Sequence, residues 1–368
     1  MTRRIISLLI IIAAAMTASA QNPWFQDLKV SGYGMVQYQA SDKEGAHQNG
    51  FNLRLVRLSL EGRAHDNFYY KVQMQVNGNT YDPDKSSTDV RLVDLFGEWQ
   101  KYEFLRVKVG QFKRPFTFEN PMHPITQGFM SYSQNVTKLA GFNDRTGQHA
   151  SNGRDIGLQF QGDFLKVGGR NLLHYQVGVF NGEGINQKDR NNQKDIIGGL
   201  WVMPVEGLRI GAFGWTGSRG KMVYDYAVVD GVSKPLTCSM EKNRYALSAE
   251  YDKDEWTFRA EYIHSQGWGA ASAGNNVREI SYAAGDKADG FYAFGIVPIV
   301  KSKLHAKARY NMYRPTKEWG SAKTMYEIGA NYFFSKKIQL NAEYARVNDR
   351  SLAKPNYNFF DVQLDFRF

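Results

Sequence analysis

The chain ends on a strict alternation. Phe360, Val362, Leu364, Phe366 and Phe368 fall on one side, and Asp361, Gln363, Asp365 and Arg367 on the other. A repeat of two puts these sets on opposite faces of an extended strand. Burying two acids and an arginine in a dry core is costly, whereas a water-filled interior accepts them. The pattern therefore points to a wall that is apolar outside and wet inside. The same form recurs upstream. Leu304, Ala306, Ala308, Tyr310 and Met312 alternate with Lys303, His305, Lys307, Arg309 and Asn311. Phe68, Tyr70, Val72, Met74 and Val76 alternate with Tyr69, Lys71, Gln73, Gln75 and Asn77.

Extended segments of this kind are predicted over 28–40, 51–64, 68–77, 90–100, 104–112, 152–162, 171–180 and 194–204. A second eight follow over 207–216, 243–252, 255–264, 290–300, 302–313, 325–334, 337–348 and 358–368. Most are close to the 9–11 residues a tilted strand needs to cross a bilayer. The segment 51–64 changes phase near Val56, where a bulge is expected. Tight joins at 65–67, 101–103, 205–206, 253–254, 301 and 335–336 alternate with long connections. The long ones are 41–50, 78–89, 113–151, 181–193, 217–242, 265–289, 314–324 and 349–357; only the join at 163–170 is of middling length. An even strand count with loops sorted by parity predicts an all-β fold, a sixteen-stranded antiparallel transmembrane β-barrel with short periplasmic turns and long extracellular loops.

The N-terminus agrees with this compartment. Arg3 and Arg4, the apolar run Ile5–Met16, and Ala18-Ser19-Ala20 have the three parts of a secretory signal peptide over 1–20. The run is shorter than the ~20 residues of a membrane-spanning helix. Residues 21–368 are then one barrel domain in the outer membrane of a Gram-negative bacterium, both termini periplasmic. The chain is aromatic-rich, with 21 Tyr and 23 Phe, yet polar overall. Its lone cysteine, Cys238, offers no disulfide framework or metal cluster. A formal charge of +10 comes without a compact basic tract, so nucleic acid is not an expected partner.

Enzyme signatures are missing: no HExxH, no GxSxG elbow and no phosphate-loop spacing occur. Neither a cofactor nor a metal is expected. Sixteen strands enclose room for water, and the longest connection, 113–151, is the natural constriction of the bore. Its Phe116, Phe118, Phe129, Tyr132 and Phe142 are suited to pack it against the wall, and Lys113, Arg114, Glu119, Lys138 and Arg145 are its candidate pore-lining charges. Strand parity turns Arg57, Arg63, Lys71, Arg106, Lys108, Arg209, Arg259, Lys307 and Arg309 inward as well. A cationic lumen enriches anions. Parity also turns Glu61, Asp94, Glu98, Glu250, Glu261, Glu343, Asp361 and Asp365 inward, so the same charges could brace the wall as ladders of ion pairs. The expected activity is passive diffusion of small hydrophilic solutes, with mild anion preference. Two other classes remain open: a surface barrel binding a partner through loops 217–242 and 265–289, and a secreted soluble carbohydrate-binding β-protein. The lone glycines Gly32, Gly34, Gly178, Gly211 and Gly214 read as relief in a crowded wall.

Three stretches carry a resemblance. Val109-Gly110-Gln111-Phe112-Lys113-Arg114-Pro115-Phe116, with Glu119 after Phe118, resembles a signature of the phosphate-selective porin O and P family. Gly153–Gly157 and Tyr175–Gly182 look like two further signatures, and the terminal Phe368 looks like the signal read by the barrel-assembly machinery. The resemblance implies a homotrimeric sixteen-stranded porin in outer-membrane lipid, its third outward loop folded into the bore, with basic residues lining a path for small anions, phosphate among them.

Overall fold

A computed structural model describes residues 26–45, 48–77, 90–146, 151–229, 232–267 and 287–368. Sixteen antiparallel strands close on themselves. They are β1 Gln26–Ser41, β2 Gln48–Ala64, β3 Phe68–Gln75, β4 Arg91–Tyr102, β5 Leu105–Lys113, β6 Arg154–Val167, β7 Arg170–Phe180 and β8 Asp195–Val202. Then come β9 Leu208–Val229, β10 Val232–Lys253, β11 Trp256–Gln266, β12 Lys287–Val300, β13 Leu304–Arg314, β14 Lys323–Ser335, β15 Ile338–Asp349 and β16 Asn356–Arg367. Each strand pairs with its neighbours in sequence, and β1 pairs with both β2 and β16: Gln37 faces Asn52 on one side and Gln363 on the other. The leader read in residues 1–20 and the connection 78–89 lie outside the described residues.

The expected faces are the observed ones. On β16, Phe360, Leu364 and Phe366 are 37–42% exposed, while Asp361, Gln363 and Asp365 are buried toward the interior. Exposed apolar side chains such as Val109, Leu247 and Ile328 mark the outer face, which suits lipid or another apolar surface and not water. No helix among the described residues is long and apolar enough to cross a membrane. The strands do the crossing.

Four details differ from the sequence reading. The bulge in β2 sits at Arg54, two residues before Val56, where the register against β1 skips from Leu55 to Leu53. The connection expected at 217–242 is largely ladder: β9 and β10 pair from Leu208–Tyr251 to Val229–Val232, so a hairpin continues the wall past the other strands. The middling join at 163–170 shrinks to Gly168-Gly169, both at positive φ, because β6 runs on to Val167. Every odd-to-even connection still lies at one end of the barrel and every even-to-odd one at the other, but the β9–β10 connection, two residues between Val229 and Val232, is no longer a long one. Fourth, Gly214 is no crowded position: an added Cβ would meet nothing within 4 Å, whereas at Gly32 and Gly34 it would strike the rings of Phe368 and Phe366 at 2.5 and 2.4 Å.

One glycine is required by its backbone. Gly110 in β5 has φ +130, and a Cβ there would lie 2.2 Å from the carbonyl oxygen of Leu95. An L side chain meets both penalties. Gly110→Ala is expected to destabilise the barrel by roughly 1–3 kcal/mol, read as a lower temperature of heat-induced unfolding in detergent; an unchanged transition would refute the strain assigned here.

Candidate functional site

The segment from Arg114 to Gly153 joins β5 to β6 and carries the short helix α1, Gln134–Leu139. Its aromatic residues find partners on the inner wall. Phe116 meets Trp215 at 5.4 Å between ring centroids, Phe118 meets Phe213 and Trp201 at 5.4 and 5.5 Å, and Phe129 meets Phe294 at 5.6 Å. Tyr132 instead packs within the segment, 4.4 Å from Phe142. Phe116, Phe118 and Phe129 are at most 2% exposed. Each contributes on the order of 1.5–3 kcal/mol to holding the segment down.

Polar contacts complete the attachment. The backbone N–H groups of Phe118 and Glu119 donate to Glu261 at 2.7 and 3.0 Å, and that of Met130 donates to Glu343 at 2.7 Å. Arg259 donates to the Gln127 carbonyl at 3.1 Å, Lys307 to that of Gly128 at 3.1 Å, and Arg309 to that of Ser131 at 2.8 Å. These three cations also hold carboxylates: Arg259 pairs with Glu250, Lys307 with Glu343 at 2.5 Å, and Arg309 with Glu327 at 2.6 Å. All three are buried. They serve the segment and the wall rather than a passing ion.

The root of the segment is held by three ion pairs around one indole. Arg114 pairs with Asp155 at 2.8 Å, Lys242 with Asp195 at 2.6 Å and Arg244 with Asp144 at 2.6 Å, and all six side chains have zero exposure. The three cations lie 5.1, 5.4 and 4.7 Å from the Trp215 ring, whose N–H donates to Asp195 at 2.9 Å. Arg114 is therefore a buried anchor, removed from any solute. Glu119 is likewise fully buried and accepts from the Ser133 N–H at 3.1 Å and its hydroxyl. Burial pushes the Glu119 carboxyl upward. Asp144 feels the same push, but Arg244 and the Thr146 N–H hold it below the ordinary carboxylate range. A depressed pKa keeps this clasp intact above the usual carboxylate pKa and releases it only as pH falls through the lower folded value.

The remaining candidates divide in the same way. Arg106 pairs with Asp163 at 2.5 Å, Lys71 with Glu61 at 3.3 Å, Lys108 with Glu98 at 3.6 Å and Arg209 with Glu250 at 2.7 Å. Arg57 donates to Gln75 at 3.2 Å and Arg63 to Gln100 at 3.3 Å, neither with a carboxylate partner among the described residues. Arg145 spans outward to the carbonyls of Gly267 at 2.5 Å and Pro315 at 3.0 Å. Lys138 is half-buried in α1, and burial with Lys323 nearby lowers its pKa. Of the inward acids, Asp94 holds Arg154 at 2.6 Å, and Asp365 accepts from Gln339, Asn341 and Gln363 at 2.7–2.8 Å.

One stretch keeps an excess of positive charge. Lys113 reaches the Met122 carbonyl at 2.5 Å and the Tyr132 hydroxyl at 2.8 Å, without a carboxylate among the described residues. His123 packs edge-on to Tyr33 with centroids 4.5 Å apart. Burial first, then Lys113, Arg367, Arg57 and Lys71, push its pKa down to about 3. Sequence reasoning passed over His123, placed Arg367 on the wet face without counting it among the lumenal cations, and missed Arg91, which lies within the field of Arg57 and Arg154. Arg91 was hidden by a register shift in β4 between Leu92 and Asp94, which upsets parity counting and has no local marker.

A closed sixteen-stranded wall with an aqueous, charge-lined interior defines a diffusion channel of the outer membrane. A family model described as Gram-negative porin matches residues 7–352, and the chain belongs to that family. Solved structures share the fold at low identity. Salmonella typhi OmpF in complex with daunomycin has a TM-score of 0.65 at 12% identity, covering 93% of this chain and 97% of that one. A loop L8 deletion mutant of Vibrio cholerae OmpT gives 0.61 at 11%, covering 93% and 99%. Pseudomonas putida OprB gives 0.61 at 10%, covering 94% of each. No curated protein matches the sequence. The protein is a non-enzymatic porin for passive diffusion, and the short-turn side, where the described chain both begins and ends, faces the periplasm.

Removing one member of a buried ion pair costs about 3–5 kcal/mol. Arg114→Ala is expected to lower the unfolding temperature and open 114–146 to protease in the purified barrel. Arg114→Met with Asp155→Leu should restore most of the loss. Equal protease resistance in Arg114→Ala and the parent would show that the three pairs do not hold the segment.

Proposed function

We propose that the segment 113–151 is the constriction of the channel and that the pore is a general one with mild anion preference. The observation that carries this reading is the set of basic groups around His123: Lys113, Arg367 and Arg57 form no ion pair among the described residues, while Lys71 is shared with Glu61 at 3.3 Å. The facing wall from β10 to β15 is closer to neutral, because Arg259, Lys307 and Arg309 are matched by Glu250, Glu343 and Glu327. A solute passing between the two meets a positive side and a compensated side, and field focusing in a narrow aqueous bore enriches anions. Of the candidate pore-lining groups, Lys113 and Lys138 are the ones whose exposure suits contact with solute.

Phosphate is one permeant anion in this reading and not a dedicated ligand. A phosphate site calls for several converging cations, and most lumenal cations here are committed to carboxylates or loop carbonyls. The leader at 1–20, a homotrimeric assembly and recognition of Phe368 by the assembly machinery belong to the same proposal. The last is supported by the place of Phe368, whose N–H and C=O pair with Gly32 at 3.0 and 2.9 Å where the barrel closes.

Planar-bilayer reversal potentials under a potassium chloride gradient test the selectivity. Anions are expected to permeate more readily than potassium, and Lys113→Gln should lower the ratio about twofold. Cation preference in the parent channel would sink the reading. A second expectation concerns pH. With its pKa near 3, His123 stays neutral through the ordinary histidine range. The reversal potential should then show no His123-dependent step between about pH 5 and 8, and His123→Gln should match the parent there; a step that this substitution abolishes would contradict the burial of the imidazole.

A further inference from the structure

Four acids and three guanidiniums meet where the segment lies on the inner wall between β9 and β14. The acids are Glu119 on the segment, Glu250 on β10, Glu261 on β11 and Glu327 on β14; the bases are Arg209 on β9, Arg259 on β11 and Arg309 on β13. Arg209 and Arg259 both pair with Glu250, and Arg309 pairs with Glu327. Glu119 and Glu261 enter no ion pair among the described residues, although both lie in the field of Arg259 and Glu119 also in that of Arg309. Each is at most 1% exposed. Next to the cluster, Lys307 is matched by Glu343. Lys113 also feels Glu119, but its ammonium is bonded to the Met122 carbonyl and the Tyr132 hydroxyl. The cluster is thus one positive charge short. A buried carboxylate without a matching cation takes up a proton rather than stay charged in so dry a place.

The hydrogen bonds indicate which oxygen carries it. Glu119 accepts from Ser133 on both oxygens, from the N–H at 3.1 Å and from the hydroxyl. Glu261 is one-sided. Its Oε1 accepts the N–H groups of Phe118 and Glu119, and its Oε2 has no partner among the described residues. One oxygen that accepts twice and one left over is the arrangement of a neutral carboxylic acid, whose second oxygen is a donor. Ser248 and Tyr292 are the ladder partners of Glu261 on either side. The Ser248 hydroxyl is buried and also without a partner, so the next strand holds an oxygen of the right chemistry to accept. The Tyr292 hydroxyl lies beside Arg259.

We propose that Glu119 and Glu261 hold one proton between them, carried on Glu261 Oε2, and that this proton latches the segment to the wall. The latch acts on the segment as the constriction, and so rests on that reading of the channel. With the proton in place, neutral Glu261 accepts both N–H groups beside an ionised Glu119. Without it, two like charges remain in one dry seat, and the stretch from Thr117 to Ser131 lifts from β11. Burial raises the Glu119 carboxyl. A raised carboxyl binds its proton more tightly in the seated state than in the unseated one. Seating therefore weakens as pH climbs above the ordinary carboxylate value, and levels off once the raised value is passed. The constriction opens toward alkaline pH.

Single-channel recordings of the purified barrel between about pH 5 and 9 test the latch, together with tryptophan fluorescence of the same protein in detergent. A larger conductance level is expected, its occupancy rising up to about tenfold per pH unit, the slope of one proton, before levelling. The fluorescence should shift over the same range, because Phe118 packs on Trp201. Glu261→Gln keeps an acceptor oxygen and has no proton to lose, so it should hold the smaller level throughout and match the parent's unfolding temperature at the acid end. Glu119→Gln removes the surplus acid from the segment side and should likewise abolish the step. A step that persists in Glu261→Gln, or a parent with neither a conductance nor a fluorescence change, would overturn the latch. So would a midpoint that moves when potassium replaces a bulky organic cation at equal ionic strength, because a bound cation would then supply the missing charge. A fluorescence step without a conductance step would uphold the latch and fault only the reading of the segment as the constriction.

Discussion

Inside lipid, a backbone N–H or C=O without a partner costs several kcal/mol, and a sheet with free edges has two rows of them. The pairing of β1 with β16 removes both edges at once. It also makes one surface of every strand face lipid and the other face water. Polar side chains are then confined to the inside, where sixteen strands bring many charges close together. The ion pairs, the seating of the β5–β6 segment and the residual positive field all follow from that crowding.

Crowding decides which charges remain available to solute. Arg259, Lys307 and Arg309 each hold an acid and a carbonyl of the segment, so their charge maintains its position. Arg114, Lys242 and Arg244 are matched one to one by Asp155, Asp195 and Asp144 around Trp215. In surroundings that exclude water such pairs are costly to break, which makes them effective clamps. Positive charge without a carboxylate partner among the described residues therefore collects around Lys113 and His123 and does not follow the total of lumenal lysines and arginines.

The outer face obeys a different rule. Against lipid, aromatic rings lie over glycines, as Phe366 and Phe368 do over Gly34 and Gly32, and fill the space a Cβ would occupy. Gly214 has no such ring, and an added Cβ there would meet nothing within 4 Å. The same residue type thus marks close packing on β1 and a vacant surface on β9. Only the neighbouring strand distinguishes them.

The period-two pattern and the parity of loop lengths sufficed for the class of fold, the strand count and the compartment, because alternation is local and lipid tolerates few alternatives. The strand from Phe360 to Arg367 can be read face by face from its residues alone. The aromatic residues of 113–151 likewise announced a segment that packs on something. What local pattern could not decide was partnership. Register shifts at Arg54 and between Leu92 and Asp94 reverse the parity that places Arg54 and Arg91. The clasp of Arg244 on Asp144 joins residues a hundred positions apart. Whether a lumenal cation is spent or available depends on which carboxylate the barrel brings opposite it. That is a property of strands distant in sequence and adjacent in space, and only closure of the sheet determines it.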